Sequence, residues 1–301
     1  MRIRLLFGLL LWPIAPSASQ LDNEYSYKGL CEASAATYID NDHFVVASDE
    51  TNVLRLYKEN DPSIGVALDL TAESGFDKSD IEGVARSGST VYWISSHSLN
   101  SSGEEKKKRK IFFATTIVTK DGSPTLAWAG EFLGLRDAIL DVTGSKKSEL
   151  NVEGLAVHAD GGLLMGLRNT VDGKAIVVPF NNPAELINNP DTKPALGKPF
   201  ELDLHGYGIR SIERIGNHYL IVAGPVSDEA VFSLYKWTGS HQAAEEVSGS
   251  FFGSLRPEAL MVVPDSNTVQ FLSDDGSSDC DDEASPVQQR TFRSIDMKTD
   301  R

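Results

Sequence analysis

The chain has 301 residues with 43 acidic against 28 basic side chains, a formal charge of −15; an acidic surface repels phosphate backbones, which argues against nucleic acid as a partner. The only cysteines, Cys31 and Cys280, form no CxxC pair, so zinc and dithiol redox motifs are absent. No GxSxG, HExxH, Walker or GxGxxG motif occurs, since GYGIRS at 206–211 lacks the last glycine; no nucleotide cofactor is expected.

Residues 1–19, MRIRLLFGLLLWPIAPSAS, combine Arg2 and Arg4, an apolar run and a small-residue tail. That layout predicts a secretory signal peptide cleaved near Ala18 to Gln20, because the run is shorter than the roughly 18 apolar residues of a membrane span. A membrane anchor in the same segment is the alternative. Cleavage removes both arginines and takes the charge to −17. No later segment reads as a membrane span, so the protein is expected to be exported, periplasmic or extracellular, with residues 20–301 as one domain.

EYSYKG at 24–29 reads as an isolated strand. Five units then follow, each a series of short apolar or alternating runs bounded by Gly, Asn and Asp turns. Unit one is SAATYID, HFVVAS, VLRLYK and GVALDL. Unit two is GVAR, VYWIS, IFFATTIV and LAWAGEF, followed by a helical stretch, LGLRDAILDV, at 133–142. Unit three is GLAVHA, GLLMGL, KAIVVPF and PFELDL, with an Asn/Pro-rich loop over 181–199. Unit four is SIERI, YLIVAG, FSLYKW and AEEVSG; unit five is ALMVV, VQFLS and RTFRSIDM, one strand short.

Anchoring the units on Glu32, Glu82, Glu153, Arg210 and Glu258 gives spacings of 50, 71, 57 and 48 residues. Four-stranded propeller blades recur at about 40–50 residues. The expected fold is therefore an all-β, five-bladed β-propeller closed by the N-terminal strand joining the last blade, which leaves no open sheet edge at the closure. A sixth partial blade within the 71-residue unit and a stacked β-sandwich are the alternatives. Small residues after each anchor, Ala33, Gly83, Gly154, Ser211 and Ala259, leave room at the crowded axis. Cys31, opening unit one, and Cys280, after the second strand of unit five, fall on one face of neighbouring blades; a disulfide and two separate buried thiols are both open.

The units CEASAATYIDNDHFVVASDETNVLRLYK, DIEGVARSGSTVYWISSHS, LNVEGLAVHADGGLLMGLRN, GIRSIERIGNHYLIVAGP and PEALM with FLSDDG resemble a bacterial family catalogued as domain of unknown function 3616. That resemblance spans nearly the whole mature chain and implies a propeller, with no established activity. The EGLA-type repeat is also loosely similar to exported esterase-like phytases, propeller-type phosphoester hydrolases.

Each unit is expected to deliver its anchor and the polar tip of its second strand to one face. The tips are Asp49 with Glu50, His97, Arg168 with Asn169, Gly224 with Pro225, and Asp274 with Asp275. Converging carboxylates need positive compensation. One reading places a hard divalent cation there, Ca²⁺ by preference, with Glu32, Asp49, Glu258 and Asp274 as ligands. A second has Arg168, Arg210 and His97 neutralise the ring as a structural plug. A third is a metal-assisted hydrolase of phosphoesters or other esters, with Glu82 or Glu153 as base, His97 as general acid, and Arg168, Arg210 and Asn169 binding the anionic group. The expected partner is a small anionic ligand or a protein, the last reading making the molecule a non-catalytic interaction scaffold. The acidic run DDGSSDCDDE at 274–283 lacks EF-hand spacing, and the run EEKKKRK at 104–110 reads as a mobile charged loop on the same face.

Overall fold

A computed structural model describes residues 21–227, 231–247, 252–277 and 279–299; the proposed signal segment lies outside them. Strands β1 (Leu21–Lys28), β2 (Ala35–Tyr38), β3 (His43–Ala47), β4 (Val53–Lys58) and β5 (Val66–Asp69) come first, then a short helix α1 (Thr71–Ser74). Next are β6 (Ile81–Ser87), β7 (Thr90–Ser95), β8 (Phe112–Lys120), β9 (Ser123–Phe132) and helix α2 (Leu135–Thr143). β10 (Val152–Val157), β11 (Leu163–Val171), β12 (Lys174–Phe180), helix α3 (Pro183–Asn188) and β13 (Phe200–Leu202) follow. The chain continues through β14 (Gly208–Ile215), β15 (His218–Gly224), β16 (Ser233–Trp237), β17 (Glu245–Glu246), β18 (Pro257–Val262), β19 (Thr268–Ser273) and β20 (Thr291–Lys298).

Among the described residues these strands form five four-stranded antiparallel sheets: β2 to β5, β6 to β9, β10 to β13, β14 to β17, and β18, β19, β20 with β1 outermost. The fold is the expected five-bladed propeller. The inner strands neighbour one another in the cycle β2, β6, β10, β14, β18 and back to β2. The long second unit holds α2 after its fourth strand, and the Asn/Pro-rich segment contains α3, with Pro183 at the start of the helix, where its missing N–H costs nothing.

Closure rests on two features. β1 pairs along its length with β20, from Leu21 opposite Met297 to Lys28 opposite Thr291. The seam it makes with the first blade is aromatic: Tyr27 stacks on Phe292 at 5.5 Å and meets Phe44 edge-on at 5.0 Å, while Phe44 stacks on Tyr57 at 5.4 Å. Just past β1, Cys31 is bonded to Cys280 across 249 residues of sequence. No helix among the described residues is long and apolar enough to cross a membrane.

Replacing Cys31 and Cys280 with serine is expected to lower unfolding free energy by about 2–4 kcal/mol, and Tyr27→Ala by about 3–5 kcal/mol as the seam empties. Denaturant titration of each variant measures both.

Candidate functional site

The inner strands share one irregularity. In β6 the ladder passes from Ile81 to Gly83, skipping Glu82; β10 skips Glu153, β14 skips Arg210 and β18 skips Glu258. Each anchor is thus the extra residue of a β-bulge, a device that re-aims a side chain. The residue after it must be small. A Cβ on Gly83 would lie 2.9 Å from Ile94 Cγ2 and 3.1 Å from the Leu155 backbone nitrogen, and one on Gly154 would lie 2.8 Å from Ile212 Cγ2.

Blade one differs from its sequence alignment by two residues. Ala35 pairs with Ala47, as Gly83 pairs with Ile94, so Ser34 holds the anchor position. Its hydroxyl donates to the Ile81 carbonyl of the next blade at 2.7 Å. Glu32 lies two residues earlier, in line with Asp80, Asn151, Gly208 and Arg256 of the other blades. Below the anchors, Ala36, Val84, Leu155, Ile212 and Leu260 line an axial space of about 10 Å³, room for at most one water, so the channel is plugged.

Above the plug is a cavity of about 170 Å³ lined by Asp49, Glu82, Glu153, Arg168, Arg210, Phe232, Arg256, Glu258 and Asp274. Its two halves differ. In blades three to five, Arg210 sits between two anchors: Nε is 3.2 Å from Glu153 Oε2, and Nη2 donates to Glu258 Oε1. Arg168 Nη1 and Asn151 Nδ2 both donate to Glu153 Oε1, at 3.0 and 2.8 Å. The guanidinium of Arg210 lies 5.8 Å from the centroid of the Phe232 ring. Gly208 is needed beneath this cluster, because a Cβ there would fall 1.7 Å from the Arg168 carbonyl oxygen. Arg256 is exposed at the rim, and among the described residues its guanidinium has no hydrogen bond or ion pair.

In blades one and two the carboxylates are only partly neutralised, Arg109 pairing with Asp80 and Lys78 with Glu50. Ligand oxygens of Asp49, Asp80 and Glu82 lie within 4.8 Å of one another, as do those of Glu32, Asp49 and Glu50. Among the described residues neither Asp49 nor Glu82 has a hydrogen-bond or ion-pair partner. Asp80 is held through Oδ2 by Arg109 Nη1 at 2.7 Å and by the Ser96 hydroxyl, which leaves Oδ1 unbonded among the same residues. Arg109 belongs to the basic run, whose Lys107–Arg109 turn is fastened to the rim. Glu50 pairs with Lys78.

Burial and mutual repulsion raise these acids. Glu82 and Asp49 lie well above the carboxylate range, by desolvation and then by neighbouring carboxylates, Asp49 first for Glu82 and Glu258 first for Asp49. Desolvation and the Asp49 charge push Glu32 up to about 9. Glu153 rises only to about 7, burial being opposed by Arg210 and Arg168, and Asp274 to about 6 through burial and Glu258.

Of the sequence-derived candidates, Asp49, Glu82, Glu153, Arg168, Arg210, Glu258 and Asp274 line the cavity. Glu32 adjoins it, bridged to Asp274 through the backbone, with one carboxylate oxygen buried and unbonded. His97 is fully buried outside the cavity lining. Asn169 turns away from it, accepting from the Asn151 backbone N–H at 3.1 Å and donating to the Ser145 hydroxyl. Asp49, Arg168 and Asp274 lie two residues past Ala47, Gly166 and Leu272, the partners of the small residues Ala35, Gly154 and Ala259, whereas Asn169 and His97 lie three past Gly166 and Ile94, and strand alternation separates the two sets. Asp80 and Arg256 were not anticipated; counting back two from Glu82 and Glu258 reaches both.

The family model described as "Protein of unknown function (DUF3616)" matches residues 130–267, which bears out the resemblance carried by the repeats. A search of curated proteins found no match. Among solved structures the chain is similar to a putative oxidoreductase (glucose dehydrogenase) of Thermus thermophilus, at 13% identity and a TM-score of 0.47 over 92% of this chain and all of that one. It is similar also to the PQQ-bound aldose sugar dehydrogenase of Streptomyces coelicolor, at 12% identity and a TM-score of 0.45 over 94% of this chain and all of that one. The β-propeller domain of Myceliophteria thermophila Cps50 (Swd1) matches at 9% identity and a TM-score of 0.40, over 94% of this chain and all of that domain.

Two outcomes follow from the geometry. Acids raised on folding bind protons more tightly in the folded chain, so their contribution to stability is full below about pH 4 and is lost as pH rises through about 6 for Asp274, 7 for Glu153 and 9 for Glu32. In chelator, thermal unfolding from pH 5 to 9 should show a falling Tm, and Glu82→Gln should raise the Tm at pH 8. Gly208→Ala should lower the Tm and displace Arg168, seen by calorimetry and a crystal structure of the variant.

Proposed function

We propose that the channel mouth binds a hard divalent cation, calcium by preference, through Asp49, Asp80 and Glu82, and that the arginine half beside it takes the anionic group of a small ligand. The observation that carries this reading is the convergence of three carboxylates, two of them without a partner among the described residues, next to a half of the same cavity where every anchor is already neutralised. Oxygens as much as 4.8 Å apart suit a central ion with ligand distances of about 2.3–2.6 Å, and an all-oxygen donor set favours calcium over softer metals. Asp274, raised only to about 6, adds negative potential from the rim at pH 8.

The cavity volume supports a small ligand, since 170 Å³ falls below the roughly 300–1,000 Å³ of clefts for drug-sized molecules. Arg256 is the cation best placed to receive an anion, because Arg210 is committed to Glu153 and Glu258. Phe232 offers the one apolar wall among the lining residues. Glu153 has both oxygens engaged by Asn151, Arg168 and Arg210, which favours binding over its use as a base; a hydrolytic role would fall to Glu82 beside the cation. The disulfide supports export to an oxidising compartment.

Thermal unfolding at pH 8 with Ca²⁺, Mg²⁺ or Mn²⁺ tests the cation site. At 100 times the dissociation constant the expected stabilisation is about 2.7 kcal/mol, abolished by Asp49→Asn and Glu82→Gln and retained by Arg256→Ala. Absence of a shift with all three ions would overturn the reading. In the cation-loaded protein, calorimetric binding of inorganic phosphate should be lost on Arg256→Ala. Turnover of a phosphoester that disappears in Glu82→Gln would reassign the site to metal-assisted hydrolysis.

A further inference from the structure

Each second strand carries one residue toward the mouth, two positions past the partner of the small residue that follows the anchor. Asp49, Ser96, Arg168 and Asp274 hold that place in blades one, two, three and five. In blade four, where Ser211 pairs with Val222, it falls to Gly224. The backbone of Gly224 is not left-handed, so glycine stands there for space. The Phe232 ring takes that space, since a Cβ on Gly224 would lie 3.0 Å from Phe232 Cδ1 and 3.2 Å from Arg210 Cγ. The ring is half-buried, borders the cavity and has the Arg210 guanidinium 5.8 Å from its centroid. Val226 and Val231 lie just beyond it on the same hairpin, 50% and 53% exposed. Arg168, a lining residue, donates through Nη2 to the Ser227 carbonyl at 3.3 Å, which holds this hairpin at the cavity rim. A mouth of acids and arginines thus has one apolar lip, laid across a glycine.

We propose that Phe232, with Val226 and Val231, selects an organic anion that carries an apolar group next to its charge. This ligand class rests on the anion site proposed for the mouth and would fall with it. Size and place select it. The cavity of about 170 Å³ is walled by charged side chains apart from Phe232, so it takes the charged group and leaves the body of the ligand at the lip. An aromatic or branched aliphatic group there covers Phe232 and the two valines, removing apolar surface from water on both partners. An aromatic body gains further by pairing with the Phe232 ring. A hydroxylated body finds no hydrogen-bonding side chain at these three positions, and its polar groups would lose water without replacement.

The test is calorimetric titration of the calcium-loaded protein at pH 8 with methylphosphonate, phenylphosphonate and glucose 6-phosphate. Phenylphosphonate should bind more tightly than methylphosphonate by about tenfold or more, and glucose 6-phosphate no more tightly than methylphosphonate. Phe232→Ala should bring phenylphosphonate down to the affinity of methylphosphonate and leave the latter unchanged, which a general loosening of the mouth would not do. Val226→Ser combined with Val231→Ser, both at exposed positions, should remove part of the same preference even where Phe232→Ala does not fold. Equal affinities for the two phosphonates, or tighter binding of glucose 6-phosphate than of phenylphosphonate, would overturn the proposed ligand class and leave the anion site standing. Binding of none of the three would remove both.

Discussion

Everything at the mouth depends on how little room an inner strand has at the propeller axis. A side chain at Gly83 or Gly154 would strike the neighbouring blade, so the chain keeps a small residue there and places one extra residue before it. The bulge throws that residue out of the ladder and toward the axis. A steric limit on one position thereby becomes a positioning device for its neighbour, repeated in four blades with Glu, Glu, Arg and Glu. Blade one uses the same place differently, with Ser34 bonded to the adjoining blade.

Four-fold repetition of a glutamate would be untenable near the axis, because each buried carboxylate raises the next. Arginine at the fourth blade resolves half of the problem, binding the anchors on both sides. The other half, around Asp49 and Glu82, keeps its repulsion. This division follows from a ring of five positions in which a single arginine reaches only its two neighbours.

Much of this was legible in the sequence. The small residue after each anchor, the turn-bounded apolar runs and the missing strand of the fifth unit together specify the blade count, the closure by β1 and the face bearing Asp49, Glu82, Glu153 and Arg210. The errors have physical reasons. Glu32 drew the alignment of unit one because a glutamate is conspicuous and a serine is not, yet pairing of Ala35 with Ala47 shows that Ser34 is the equivalent. Asn169 shares the tip of its strand with Arg168 but has the opposite parity, and His97 has that same parity in blade two. Arg109 looked like part of a solvated charge run, and only the fold brings it to Asp80.

The bond between Cys31 and Cys280 has a consequence beyond stability. It joins the segment after β1 to the loop between β19 and β20, and so encloses four blades and part of the fifth within one covalent circle. A protease that cuts once at an exposed stretch inside the circle, such as residues 188–191, releases nothing. Both fragments stay tethered at the seam, with the strands of β1 and β20 still paired, and the nicked molecule remains a ring able to close again around the same mouth.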